Sequence, residues 1–281
     1  MAASAQARAA GNGRRGSPVG PARRGQVDRA PLDISLSDAM LRSPKTSEVV
    51  ARDLVRDIVG QGLQTGDPLP HEASMLEHYG VSRESLREGL RLLEVQGLIS
   101  IRRGPGGGPS VGRVDPAHLG RIATLYYHLA GATYAELFDA WVRTEPILAE
   151  EAARNPDRRA VRRAMAPYRD GPEPGAHGDD VEEFVQRHTH FHAVLASLTG
   201  NRVLELMLQT VGCIVTHHVV VSADPRDMSS TIAEDHASIA RAVAAGHPQQ
   251  ARTLMERHIR TMSDFYSREL GEQQREYIEW R

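Results

Sequence analysis

Cysteine is almost absent from this chain, with Cys213 alone in 281 residues. A lone thiol excludes an internal disulfide framework and fits a reducing compartment. Aromatic residues are scarce too, at 5%, so a core must be built from Leu, Val, Ile and Ala, which a hydrophobic content of 40% allows. No apolar run reaches the roughly 20 residues needed to cross a bilayer. The N-terminus has no apolar segment of the kind found in a secretory signal, so a cytoplasmic protein is expected. Catalytic signatures are missing as well. "GNGRRGS" does not open a helix after a strand, no phosphate loop, paired CxxC or HExxH occurs, and Cys213 has no identifiable activating partner. Net charge is only -2, but residues 1–115 carry +3 and residues 116–281 carry -5. An anionic partner is therefore expected at the front half.

Residues 1–44 are rich in Ala, Gly, Arg, Ser and Pro and lack helical periodicity, which reads as a disordered basic arm. It either stays solvated or adds non-specific affinity for nucleic acid. Order is expected from Thr46. Val50, Leu54 and Ile58 recur at i, i+4 and i+8 and predict a helix, closed by Gly60, Gly62 and the turn "TGDPLP". "HEASMLEHYG" predicts a short second helix stopped by Gly80. Ser82 then caps "RESLREGLRLLEVQG", with Leu86, Leu90 and Leu93 as its buried stripe. "LISIRR", a glycine-rich tip and "SVGRV" complete a hairpin. Two helices, a short turn, a third helix and a hairpin make a winged helix-turn-helix over residues 45–114. The third helix of such a unit enters the major groove by its N-terminal end. Ser82, Arg83, Glu84, Ser85 and Arg87 stand at that end, and the wing adds Arg102, Arg103 and Gly104. Arginine forks suit guanine edges or phosphate, so these are candidate DNA contacts; the plainer reading is a solvated charged face.

From Asp115 the pattern is helical, with helices predicted near 116–130, 134–154, 157–168, 179–199, 202–222, 230–245 and 248–268. "IVTHHVVV" is ambiguous between helix and strand, "DGPEPGAHG" reads as a loop, and residues 270–281 read as a polar tail, frayed from Gln273. The expected fold is mainly α: a winged domain followed by an all-α antiparallel bundle over 115–269.

Within that bundle "RHTHFHAVLASLTGN" packs three histidines into five positions. His188 and His192 are four apart, on one helix face, and two such imidazoles can grip one metal ion. "AAGHPQQ" is a helix-to-helix turn. His236 lies ten residues before Gly246 and His258 ten after Pro248, so each sits about 15 Å from the turn, given 1.5 Å per residue. In an antiparallel hairpin they are level, and a bundle core can bring them to the first pair. The bland alternative is a set of hydrogen-bonded or surface histidines. His217 and His218 either line a cavity or simply pack.

"GVSRESLREGLRLLE", the wing "RRGPGGGPSV" and the later segments "RTEPILAEEAA", "FHAVLASLTGN" and "EDHASIARAVAAGHPQQARTLMERHI" resemble the GntR family of bacterial transcription regulators, in its FadR-like branch with an FCD effector domain. The resemblance spans roughly residues 46–268. It implies a homodimer on a palindromic operator, and a small effector, often a carboxylate, bound beside a divalent metal in the helical bundle. Repression relieved by ligand is the commoner outcome it implies. His192, His236 and His258 match the family's metal-binding histidines, while His188 stands where the family usually has Asp. Nitrogen-only ligation tilts toward Zn or Ni, and four neutral imidazoles leave the ion's charge to be met by an anionic effector or hydroxide. Ala73 stands where the family often has a DNA-contacting Arg. Arg143 falls where the family has an arginine that can face the effector cavity; its plainer role is a surface pair with Asp139 or Glu145. Two other readings stay open: a metal-dependent enzyme fused to a DNA-binding module, and a metal-free sensor. An enzyme would need a general base beside the ion. Glu234, Asp235 and Glu256 neighbour the later histidines in sequence, but adjacent positions point about 100° apart on a helix of 3.6 residues per turn.

Overall fold

A computed structural model of the chain describes residues 43–104, 106–169, 181–219 and 228–280, with only the backbone of Val181. The expected arm, apart from Ser43 and Pro44, lies outside the described residues, as do the 170–178 loop and Pro105 of the wing tip.

The front half holds helices α1 (Thr46–Gly60), α2 (Glu72–Tyr79) and α3 (Arg83–Val95), then strands β1 (Ile99–Arg102) and β2 (Gly108–Val111). Helix α2 ends at Gly80, whose φ of 62° is the left-handed conformation that a residue without a Cβ takes at least cost. Two residues on, the Ser82 hydroxyl accepts a hydrogen bond from the Ser85 N–H at 3.2 Å and starts α3. Helices α1 and α3 cross closely because Gly89 has no side chain; a Cβ there would stand 2.9 Å from the Ser47 carbonyl oxygen. Val50, Leu54, Met75, Leu86, Leu90, Leu93 and Ile99 form a core of their own. The strands pair antiparallel with Ile99 opposite Val111 and Arg102 opposite Gly108. The return strand thus begins two residues before the expected Ser110, since Ile101 and Arg102 need partners in that register.

The back half is helical among the described residues: α4 (Pro116–Leu129), α5 (Tyr134–Arg154), α6 (Arg158–Arg169), α7 (Val181–Ser197), α8 (Arg202–Val219), α9 (Ser229–Ala245) and α10 (Pro248–Leu270), followed by a 3-10 turn over Gly271–Arg275. The ambiguous segment is helical as far as Val219. Helix α5 is the central element, packed on α7, α8, α9 and α10, while α6 lies on α9 and α4 on α8. Its capping box, Thr133 with Glu136, fixes where it starts. Its stripe of Tyr134, Leu137, Phe138, Trp141, Leu148, Ala149 and Ala152 is buried. Each large apolar side chain so buried contributes about 1.5–3 kcal/mol relative to exposure. Arg158 ties the bundle further by donating to the carbonyls of Ala153, Asn155, Val243 and Ala244, at the C-terminal ends of α5 and α9. Helix α4 meets the winged half through His118, whose ring would lie 3.0 Å from a Cβ at Gly97, just beyond α3.

The tail is not frayed. Ile278 is 1% exposed, its N–H donates to the Ala132 carbonyl, and its own carbonyl accepts from the His128 ring. One apolar side chain in a polar stretch is enough to dock the segment on the loop between α4 and α5.

Candidate metal centre and nucleic-acid interface

Helix α7 carries His188 and His192 one turn apart, α9 carries His236 and α10 carries His258. The structure brings all four together, with one ring nitrogen from each lying within 4.8 Å of the others. The Nε2 atoms of His236 and His258 face one another at 3.3 Å. Two nitrogens bound tetrahedrally to one ion at about 2.0–2.1 Å would stand roughly 3.4 Å apart. His236 and His258 are buried, and the His236 ring stacks on Phe191 at 3.9 Å.

Protonation states follow from the surroundings. Burial first, then the neighbouring imidazoles, push His188 and His236 well below the usual histidine range. Burial also lowers His258, against the opposing pull of Asp235. These rings are therefore neutral near pH 7, with lone pairs to offer. The Nδ1–H of His192 donates to Glu145 Oε1 at 2.7 Å, and the Nδ1–H of His258 to Asp235 Oδ2 at 3.3 Å. Both carboxylates accept, so each ring turns its Nδ1–H to them and its Nε2 the other way; on the neutral His258 ring that Nε2 keeps its lone pair. Nδ1 of His188 and Nε2 of His192 are buried without a hydrogen-bond partner among the described residues. Buried ring nitrogens without a partner, within a cluster of four imidazoles, are what a divalent cation requires, so the donor set fits one.

A cavity of about 50 Å³ opens beside His188 and His192, walled in part by Trp141, Glu145, Thr189, Leu208, Gln209 and Cys213. Burial, with the charges of Asp115 and Glu145, raises the Cys213 thiol to about 11, so it is an inert wall. Arg143 is not in this cavity. It is exposed and paired to Asp139 at 2.8 Å, the plainer of the two roles expected for it. On α5 the buried face runs through Trp141 and Glu145, and position 143 falls on the opposite side. Glu145 is correspondingly no surface partner of Arg143. His218 is buried with its Nδ1 3.1 Å from the Tyr134 hydroxyl, and His217 is exposed; neither joins the cluster.

Two participants were missed. Glu145 follows Phe138 and Trp141 on the apolar stripe of α5, and a carboxylate on a buried face was the available signal. Asp235 adjoins His236 in the chain but reaches His258 across the hairpin, a relation that spacing from its own helix neighbour hides. Glu234 is exposed and Glu256 pairs with Arg260, so no free carboxylate among these neighbours of the histidines is poised as a general base.

At the other end, Ser82, Arg83, Glu84, Arg87, Arg102, Arg103 and Gly104 are exposed, with Ser85 half-buried under the cap. Arg83 has no ion-pair partner among the described residues, while Arg87 donates to Glu72 of α2 at 3.3 Å. No helix among the described residues is long and apolar enough to cross a membrane.

A winged helix-turn-helix followed by an all-helical bundle is the architecture of a DNA-binding transcription regulator with a second, helical domain. The model of the bacterial regulatory proteins of the gntR family matches residues 46–107, and that of the FCD domain matches residues 136–261. The chain belongs to the GntR family and carries an FCD domain; these are modules of transcription regulators, not of enzymes. It is 28% identical to the Glc operon transcriptional activator of Escherichia coli, over 76% of this chain and 86% of that protein. It is 23% identical to the HTH-type transcriptional repressor NanR of Cronobacter sakazakii, over 81% of this chain and 88% of that one. A solved Streptococcus agalactiae GntR structure shares the fold with a TM-score of 0.58 at 22% identity, covering 78% of this chain and 99% of that chain.

Proposed function

We propose that this GntR regulator is a cytoplasmic homodimer that reads a palindromic operator with α3 and the wing, and senses a small carboxylate through a metal-containing FCD domain, acting as a repressor. The observation that carries the sensing half is the convergence of four imidazoles on one point beside a cavity. His188, His192, His236 and His258 would hold the ion, with zinc or nickel suited to an all-nitrogen set. When bound, the ion supplies the positive charge that a carboxylate in the cavity needs. Among the described residues no arginine or lysine lines that cavity, so those side chains offer an anion only polar contacts there.

Dimerisation is supported by an apolar surface on the packed pair α4 and α8. Leu119, Ile122, Tyr126 and Leu129 on α4, and Val203 and Met207 on α8, are exposed. Apolar patches of this kind mark interaction surfaces, and a second copy would cover this one with its own equivalent. Coupling has a physical route. Leu208, Gln209 and Cys213 of α8 wall the cavity, α8 packs on α4, and His118 of α4 touches Gly97 beyond α3. An effector that prefers one placement of α8 would thereby change the spacing of the two recognition helices.

Calorimetry with a panel of small carboxylates, run on zinc-loaded and chelator-treated protein, tests the sensing reading. Binding only to the loaded form, with release of an operator selected from random DNA, is expected. Equal binding to both forms favours the metal-free sensor, and turnover of a carboxylate favours the enzyme.

A further inference from the structure

Glu145 is a buried carboxylate with no arginine or lysine partner among the described residues. It is 2% exposed, and its partner among the described residues is a single imidazole edge, the Nδ1–H of His192. Burying a carboxylate is costly unless opposite charge lies close. The next buried carboxylate on the same helix shows the ordinary remedy: Glu150 is clamped by Arg154 and Arg252. Among the described residues no arginine or lysine reaches Glu145, and Arg143 turns outward to Asp139. On the far side of the cluster, Asp235 accepts from the outer nitrogen of His258 at 3.3 Å and from Arg257 at 3.0 Å. Two carboxylates thus back two different imidazoles, each on the nitrogen turned away from the centre.

We infer that Glu145 and Asp235 are the positioning and charge-balancing pair for the ion held by the four histidines, an inference that rests on the metal-binding reading above. Each fixes its imidazole with the Nε2 lone pair facing inward, as outer partners of metal-bound histidines do. Together they set two negative charges against a divalent ion, one layer behind a ligand set that has none of its own. His188 occupies the only position at which the resemblance led us to expect a carboxylate ligand, so the balancing charge has moved outward rather than vanished. Glu145 carries more of it, because Arg257 draws off part of the charge on Asp235 while Glu145 has no such competitor among the described residues.

The test is Zn²⁺ affinity of the full chain, read by competition with a chromophoric chelator, together with the absorption spectrum of the Co²⁺-loaded protein. Glu145→Gln is expected to lower Zn²⁺ affinity about 10–100-fold, the usual cost of losing an outer partner, and Asp235→Asn by less. Glutamine still accepts from the His192 Nδ1–H, so the loss reports charge; Glu145→Ala, which also frees the ring, should alter the Co²⁺ spectrum as well. Glu150→Gln, on the same helix but remote from the histidines, should lower the melting temperature without changing affinity. Unchanged affinity in Glu145→Gln overturns the inference and leaves the metal reading intact. So does an equal loss in Glu150→Gln, which would make the effect a general loosening of α5. Absence of Zn²⁺ binding by the wild-type chain overturns the metal reading itself, and this inference with it. Should Glu145→Gln fail to fold, Asp235→Asn supplies the same readout, and unchanged affinity there overturns the pairing.

Discussion

The recognition surface and the histidine cluster handle charge in opposite ways. At the start of α3, Arg83 and Arg87 display permanent charge to water, and Leu86 and Leu90 beneath them do the folding. In the bundle, His188, His236 and His258 are held neutral by burial, and the helices that carry them are the core itself. The difference teaches where function and stability separate. In the winged half they reside on different faces of one helix, so contact residues can change without cost to the fold. In the bundle the proposed ligands are also core side chains, so binding an ion and holding the helices together would be one property. Each prediction below is a way to break or sharpen that contrast.

The largest effect belongs to the bundle. Zn²⁺ at about 100 times its dissociation constant should stabilise the protein by about 2.7 kcal/mol, because the ion binds the folded chain and not the unfolded one. His236→Ala should remove most of this gain and also lower the metal-free melting temperature, since the ring stacks on Phe191. Denaturant melts with Zn²⁺ and with chelator measure both changes. A variant that keeps the Zn²⁺ gain would separate binding from packing and break the contrast.

Next comes the recognition helix. Arg83→Ala should cost about 1–3 kcal/mol of operator affinity, as for an arginine reading a base edge, while moving stability by no more than about 0.5 kcal/mol. Arg87→Ala should cost less. Its guanidinium already holds Glu72 and must release it to reach DNA, so a roughly uniform loss across sequences and a salt slope shallower by about one are expected. Binding isotherms at several salt concentrations distinguish the two arginines. A drop in melting temperature for Arg83→Ala would show that the two faces of α3 are not independent.

Most of this architecture was legible before the structure, for identifiable reasons. The leucine stripe of α3, the stop at Gly80 and the cap at Ser82 are local signals, and local signals survive folding. The level placement of His236 and His258 needed only a rise per residue and one turn at Gly246. What could not be read were contacts set by tertiary packing alone: Glu145 behind His192, Asp235 across the hairpin from its own neighbour, and Ile278 holding down a polar tail. Glu145 is instructive because its sequence context advertised it twice. It lay on a buried stripe, and it sat two residues from an arginine that suggested a surface pair. Only the helical period decides between them, and it favours burial.

The smallest expected effect is the sharpest test of that last point. The Asp139 carboxylate, by its hydrogen bond, holds Arg143 above its usual range, but both side chains are well exposed and water screens the pair. Arg143→Ala should therefore leave melting temperature, Zn²⁺ affinity and carboxylate binding unchanged within error. Trp141→Ala, two residues earlier on the opposite face, should disturb all three, because that ring is 4% exposed and walls the cavity. Calorimetry and thermal melts on the two variants side by side make the comparison. If carboxylate affinity fell in Arg143→Ala with Zn²⁺ affinity intact, Arg143 would have to leave Asp139 and turn inward when the effector binds. A permanent surface charge would then serve the buried site, and the separation between a charged exterior that reads and a neutral interior that senses would no longer hold.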